Sequence, residues 1–492
     1  MNETSSMRIH LNSIFVVVAA LVLTACSSEV ESPDLGFLYD ELAMHESPER
    51  NPVILIPGVL GSRLTSTEDG SVVWGAWGTG SPAPTDPTAI RQIALPMALD
   101  KRLDELQDNV TAEGALDRIK LSFLGLSVEL KAYHRIIKTL GVGGYRDEEL
   151  GEADAVNYGD NHYTCFQFAY DWRRDLVESA RKLHAYVLEK RAYVQRETER
   201  RFGLANHDVK FDIVAHSMGG LVTRYYLRYG TQDLPADGSL PELTWEGAKH
   251  IERVIVIGTP NGGSVDSFTH LIDGVELLPN LPAYDAAILG TMPAVYQLMP
   301  RTRHRAVVDQ ASQAAIDISQ PDTWAQMQWG LLDPDQDDTL KILLPEVQAR
   351  EQRISIARDH VNKSLARARH FHRAIDRPAA PPRALSLYLI AGDAVQTNAI
   401  AGVDSSSGDV SILTTGPGDG SVLRSSALMD ERTEDERFGR LKTPIGWSGV
   451  QFLFSDHLGL TEDPAFADNV LFLLLEKPRV GYLSEAGSET SL

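Results

Sequence analysis

A serine lies between small residues in FDIVAHSMGGL, residues 211 to 221, after an apolar run and before a helical one. A hydroxyl is a poor nucleophile until a base takes its proton and hydrogen-bond donors receive the oxyanion that its attack creates. Ser217 therefore carries chemistry only if the rest of the chain supplies both. A strand–Ser–helix turn that lifts Oγ above a sheet needs small residues two positions before and two after the serine. Here these are Ala215 and Gly219, with Gly220 adding room for the helix to pack. The same turn aims the backbone N–H of Met218 at the developing oxyanion. A second donor is expected from the loop after an early strand, and IPGVLGS at 56–62 places Val59 directly after Pro-Gly.

The partners of such a serine follow it in the order acid, then histidine. Of the 14 histidines only His457, in FSDHLGL, lies beyond residue 372. Two aspartates are candidates for the acid: Asp419, between glycines in GPGDGSV, and Asp393, which ends the strand-like LSLYLIA run. An aspartate at a strand end is also a common turn or cap residue. With one of them, Ser217 and His457 have the makings of acyl transfer through a covalent acyl-enzyme.

Such residues need a sheet to hold them. PVILIPG (52–58), YTCFQFAYDW (163–172), VKFDIVA, RVIVIGTPNGG and ALSLYLIAGD read as strands, several of them short apolar runs closed by glycine. Between them HRIIKTLGVGGY, SARKLHAYVLEKRAYVQRETERRFG (179–203) and LVTRYYLRYG read as helices, and FADNVLFLLLE (466–476) as a last one. Strands alternating with helices imply a mostly parallel sheet covered on both faces, the α/β-hydrolase arrangement when joined to the serine turn. The alternation breaks near 65–130 and again over 264–384, where helical patterns continue without a strong buried-strand run. The first is expected to be a small insertion and the second a helical cap, over the strand ends where pockets form.

Composition limits the partners. The formal net charge is −22, spread along the chain, so the basic stripe that binds nucleic acid is missing. Anionic lipid heads are no better matched, and membrane contact must come from apolar side chains or a covalent anchor. IFVVVAALVL (14–23), after Arg8 and His10, is too short to span a bilayer but suits a secretory signal. It runs into Leu23-Thr24-Ala25-Cys26, which resembles a bacterial lipobox with Cys26 as the lipidated residue. Ser27 follows rather than aspartate, which favours the outer membrane of a bacterial envelope. Cys165 alone remains, so no intrachain disulfide is expected in the mature chain. The expected organisation is a signal peptide (1–25), Cys26 with a flexible acidic tether (26–50), a hydrolase domain (51–480) and a tail (481–492).

With these segments in place, the chain resembles the lecithin:cholesterol acyltransferase family. The resemblance rests on PVILIPGVLGSRL, AYDWR (169–173), AHSMGG, GTPNGGS (258–264), MPAVYQLMP (292–300), PGDGSV and the His457 segment. It implies Ser217 as nucleophile, Asp419 rather than Asp393 as acid, His457 as base, and an oxyanion hole at Val59 and Met218. It also implies an acyl ester of a lipid as substrate, with water or an alcohol as acceptor and no cofactor. Eukaryotic members close a front lid with a disulfide, for which this chain lacks the cysteines. Trp74 and Trp77, in VVWGAWG, fall where family members contact membranes; interfacial anchoring and packing against the core are both open to them. DPDQDD (333–338) has calcium-like spacing but Asp338 where a calcium loop needs glycine, and Leu344 where it needs glutamate. No metal or nucleotide motif is present. The leading expectation is lipid acyl transfer or hydrolysis at a membrane. The alternatives are a carboxylesterase of small soluble esters and a catalytically silent envelope lipoprotein.

Overall fold

In a computed structural model, the five apolar runs become parallel strands, and a sixth strand that the sequence reading did not single out joins them at one edge. They are β1 (Val53–Ile56), β2 (Cys165–Gln167), β3 (Phe211–His216), β4 (Ile251–Ile257), β5 (Ser386–Gly392) and β6 (Gly449–Leu453), in the spatial order β6-β5-β4-β3-β1-β2. The structure describes residues 33–75, 86–115, 119–123, 126–130, 132–150, 152–153, 156–157, 162–276 and 284–478. The signal segment, Cys26, Trp77 and the C-terminal tail lie outside the described residues.

Every residue of β1, β3 and β5 is buried, as continuous apolar strands between two helical layers must be. Alternate side chains go to opposite faces. Ile54 and Ile56 join one apolar cluster with Leu183 and Val187 of α2 (Leu176–Phe202) and Leu221 of α3 (Met218–Tyr229). Val53 and Leu55 join a second, with Ile136, Ile137 and Leu140 of α1 (Ala132–Val142) and Val470 near the C-terminus. Helix α2 starts where the Asp175 side chain accepts the Val177 N–H and ends at Gly203, in left-handed backbone (φ 71°). Cys165 is a free, buried thiol in β2.

The insertions carry more strand than the sequence suggests. Ser62–Ser66, Val72–Trp74 and Val110–Ala115 form a small antiparallel sheet inside the first. In the second, helices dominate and end in α4 (Arg350–Ile375), but Val307–Asp309 pairs with Val395–Val403. That strand is half of a hairpin with Val410–Gly418, whose residues are largely exposed. A strand with so little to bury has no apolar alternation to read. In the acidic 333–338 segment Asp333 caps a turn at Asp335, Asp337 pairs with Arg353 at 2.8 Å, and Asp338 pairs with Lys341 at 2.6 Å.

Two buried histidines make the fold acid-sensitive. On α4, His360 Nε2–H donates to Thr291 O at 3.0 Å, and burial pushes its pKa down to about 4. In β3, burial, with His457 beside it, pushes His216 down to about 3. Below the ordinary histidine value of 6.5 the unfolded chain takes up these protons and the folded chain does not. Stability contributed by the two neutral rings is therefore full above that value and falls with pH until about 4 and 3. The expected slope is about 1.4 kcal/mol per pH unit for each ring. Urea midpoints that do not fall between pH 7 and pH 4.5 would contradict this account.

Candidate active site

Ser217 follows β3 and immediately precedes α3, at φ 52° and ψ −125°. A non-glycine residue held there costs about 1–3 kcal/mol and is stable only when its surroundings over-determine it. The Ser217 N–H donates to Ile257 O of β4 at 2.7 Å, while its C=O accepts from Gly220 N at 3.0 Å. At Gly219 a Cβ would stand 2.5 Å from Pro57 O, so only glycine lets the start of α3 press against the end of β1. The small-residue rule read from the sequence thus has a partner: the PGV loop.

The loop after β6 carries His457 to the serine. His457 Nε2 lies 3.0 Å from Ser217 Oγ, and Nδ1 lies 2.8 Å from Asp419 Oδ2. Asp419 is 1% exposed, and its other oxygen accepts the Ser421 and Val422 N–H groups at 3.0 and 2.7 Å. Gly258, at φ 54°, makes room for the pair; a Cβ there would meet His457 at 3.1 Å and Asp419 at 3.2 Å. The structure brings Ser217, His457 and Asp419 together in hydrogen-bond sequence, and it leaves Asp393 out. Asp393 has Arg424 at 3.8 Å and its N–H directed at Leu453 O.

Met218 follows the serine directly, and Val59 follows Gly58 in the loop that meets it. A Cβ on Gly58 would fall 2.7 Å from Ser217 Cβ, so the loop carrying Val59 lies directly on Ser217. Among the described residues neither the Val59 nor the Met218 N–H has a protein acceptor. Donors without a protein acceptor are what an oxyanion requires.

An apolar cavity of about 190 Å³ opens beside Val59 and Leu60. Its walls are Trp74, Ile93, Trp172, Val275, Tyr284, Leu289, Met292, Val295 and Leu298, with Ser267 and His270 as the polar members. Trp74 is corrected by this position. It is 4% exposed, packs edge-on against Trp172 with centroids 5.4 Å apart, and donates its indole N–H to Leu60 O at 2.8 Å. A ring so held lines a pocket and offers no surface to a membrane. A larger cleft of about 660 Å³ is lined mainly by charged residues such as Lys101, Arg367 and Asp233 and includes none of the three site residues.

The AYDWR segment braces the site. Arg173 is fully buried and bonds Asp171 and Asp108, each at 2.7 Å, while the Tyr170 hydroxyl donates to Pro57 O at 2.9 Å. Sequence reasoning did not single out Tyr133, whose hydroxyl accepts the Gly58 N–H at 2.7 Å. It sits in a weakly patterned stretch far from the serine in sequence, and no local signal marks it.

A parallel sheet with a serine on the strained turn after β3, followed along the chain by an acid and a histidine, defines an α/β hydrolase. Residues 73–328, just over half the chain, match the family model described as lecithin:cholesterol acyltransferase, and the chain belongs to that family. It is accordingly an enzyme of the acyltransferase and ester hydrolase class, acting on lipid esters. Among solved structures it is similar to a chain of the Tle4–Tli4 complex, at 15% identity and a TM-score of 0.53, covering 86% of this chain and 98% of that one. That likeness supports the fold. More distant are mature Bacillus licheniformis lipase BlEst2 (14% identity, 88% and 94% covered, TM-score 0.31) and EstA from Clostridium botulinum (12%, 92% and 92%, TM-score 0.31). No curated protein sequence matches the chain.

Proposed function

We propose that Ser217, His457 and Asp419 are a catalytic triad that cleaves acyl esters of lipids at a membrane surface and passes the acyl group to water or an alcohol. The observation that carries the reading is the unbroken 3.0 and 2.8 Å sequence from Ser217 Oγ through His457 to Asp419, set beside an apolar cavity. Asp419 holds His457 with its proton on Nδ1, leaving Nε2 free to take the proton of Ser217 Oγ. Oγ then bonds to the ester carbonyl carbon, and the carbonyl oxygen becomes an oxyanion received by the Val59 and Met218 N–H groups. His457 returns the proton to the leaving alcohol oxygen as the old C–O bond breaks, giving an acyl-enzyme. A water or alcohol O–H next gives its proton to His457 while its oxygen attacks the acyl carbon. Collapse expels Ser217 Oγ, which takes the proton back.

The cavity suits the acyl portion, since its wall is almost wholly apolar and adjoins the oxyanion loop. Lipid-surface action is supported by Phe454 and Leu458, which flank His457 and are 84% and 41% exposed. The lipobox-like Leu23–Cys26 segment supports a lipid anchor at Cys26 and an outer-membrane address in a bacterial envelope.

Lipid mass spectrometry of the purified full chain with mixed phospholipid vesicles, with and without a sterol or diacylglycerol, tests the reading. The expected result is acyl loss from phospholipid with an acyl product on water or on the added alcohol. Turnover of small soluble esters with untouched vesicles would replace it by the carboxylesterase reading. The intact mass of the same preparation reports the anchor: an unacylated Cys26 in the processed membrane protein would remove that part.

A further inference from the structure

A buried polar chain links the oxyanion loop to the base. The Gly58 N–H donates to Tyr133 Oη at 2.7 Å, Tyr133 Oη lies 3.1 Å from His216 Nδ1, and His216 Nε2 lies 3.3 Å from the backbone oxygen of His457. The proton positions follow from what each group can do. A carbonyl only accepts, so His216 Nε2 carries a proton; a neutral ring then leaves Nδ1 as an acceptor. Tyr133 oxygen takes the Gly58 N–H and still has its own proton to give to Nδ1. Each link is satisfied once, and no other arrangement of a neutral His216 satisfies all three.

Burial keeps it that way. Tyr133 and His216 are 6% and 2% exposed, and a His216 charged at both nitrogens would leave the Tyr133 proton without its acceptor. His216 also packs against the base, with the rings tilted and their centroids 4.9 Å apart, and Tyr133 meets His216 edge-on at 5.7 Å. The Pro57–Gly58 peptide is thus held at both ends by buried tyrosines: Tyr170 on its carbonyl and Tyr133 on its N–H. The next peptide carries the Val59 N–H.

We propose that Tyr133 and His216 are positioning residues that couple the orientation of the Val59 oxyanion loop to the placement of His457. Neither touches substrate. The pair holds the receiver of the oxyanion and the acceptor of the serine proton in one register, so loosening either end costs transition-state binding more than substrate binding. The proposal rests on the triad reading above.

The test compares Tyr133→Phe, His216→Leu, His216→Gln and the double variant Tyr133→Phe/His216→Leu with the unmodified full chain. Tyr226→Phe is the control, since it deletes a buried hydroxyl that has no hydrogen-bond partner among the described residues. Active sites are counted with a fluorophosphonate, so that kcat is expressed per labelled Ser217 and misfolded protein drops out. A matched ester and thionoester pair reads the oxyanion hole itself, because sulfur accepts its hydrogen bonds poorly.

Tyr133→Phe and His216→Leu should each lower kcat by about tenfold or more with KM little changed, a loss on the order of that seen when hydrogen-bond partners that orient metal-ligating side chains are removed. The preference for ester over thionoester should fall with it. His216→Gln, which restores an N–H toward the His457 carbonyl, should recover part of the loss, and the double variant should be no worse than the poorer single. Unchanged kcat per labelled site and an unchanged ester-to-thionoester ratio in Tyr133→Phe would overturn the coupling while leaving the triad standing. Failure of the unmodified chain to label at Ser217 would overturn both.

Discussion

Ser217→Ala is expected to lower kcat by roughly 10⁵- to 10⁶-fold, leaving only what binding and the oxyanion donors supply without a nucleophile. The fold should survive the change. Among the described residues the Oγ atom has one hydrogen-bond partner, His457 Nε2 at 3.0 Å. Alanine meets the same backbone cost at φ 52° as serine does, so the turn is strained equally in both. The checks are hydrolysis of a chromogenic acyl ester, fluorophosphonate labelling and a thermal melt on one preparation. Labelling should vanish with turnover while the thermal midpoint stays close to that of the unmodified chain. Activity above about one per cent, or labelling elsewhere that accounts for turnover, would remove Ser217 from its role.

The strain at Ser217 also explains why so much of the surrounding chain serves it. A bond from Ser217 N–H to β4, a glycine at 219 to admit the Pro57 carbonyl, and a glycine at 258 to admit His457 are separate devices on separate segments. Each holds a different element at the carboxyl edge of the sheet. Tyr170 and Tyr133 add a fourth, fixing the peptide before Val59 from both sides. The site is therefore a property of the sheet edge as a whole, and the AYDWR segment contributes to it through Tyr170 without approaching the reacting atoms.

How much of this was legible varied with how local the cause is. The serine turn was readable because the rule of small neighbours acts over five residues, and His457 because chain order leaves no other histidine. Buried strands β1, β3, β4 and β5 were readable as apolar runs. The hairpin of Val395–Val403 and Val410–Gly418 was not, since its second strand faces solvent along most of its length. Trp74 illustrates another limit. An indole suits a membrane interface and a pocket wall equally well, and only the approach of Trp172 and Leu60 decides between them. Tyr133 and His216 were out of reach because their partners are far away in sequence: Tyr133 bonds a residue 75 positions earlier and His216 one 241 positions later.

The choice of acid is the sharpest case, and it gives the second large effect. Asp393 and Asp419 both end strands beside glycine, so turn chemistry alone does not separate them, and the family resemblance pointed to Asp419. In space only Asp419 reaches Nδ1 of His457, at 2.8 Å. Asp419→Asn should therefore cost on the order of 10³- to 10⁴-fold in kcat with little change in KM. The physical reason is the tautomer. The asparagine oxygen can still accept the Ser421 and Val422 N–H groups, which turns its NH₂ toward His457 Nδ1. Nδ1 must then be unprotonated to accept, and the proton moves to Nε2, where it faces Ser217 Oγ and cannot receive a second one. Asp393→Asn loses only a 3.8 Å approach to Arg424, whose side chain is 45% exposed, and should leave kcat within a few-fold of the unmodified chain. The two variants measured side by side on one ester decide the matter: a large loss in Asp393→Asn with a small one in Asp419→Asn would mean that the working acid lies at the end of β5.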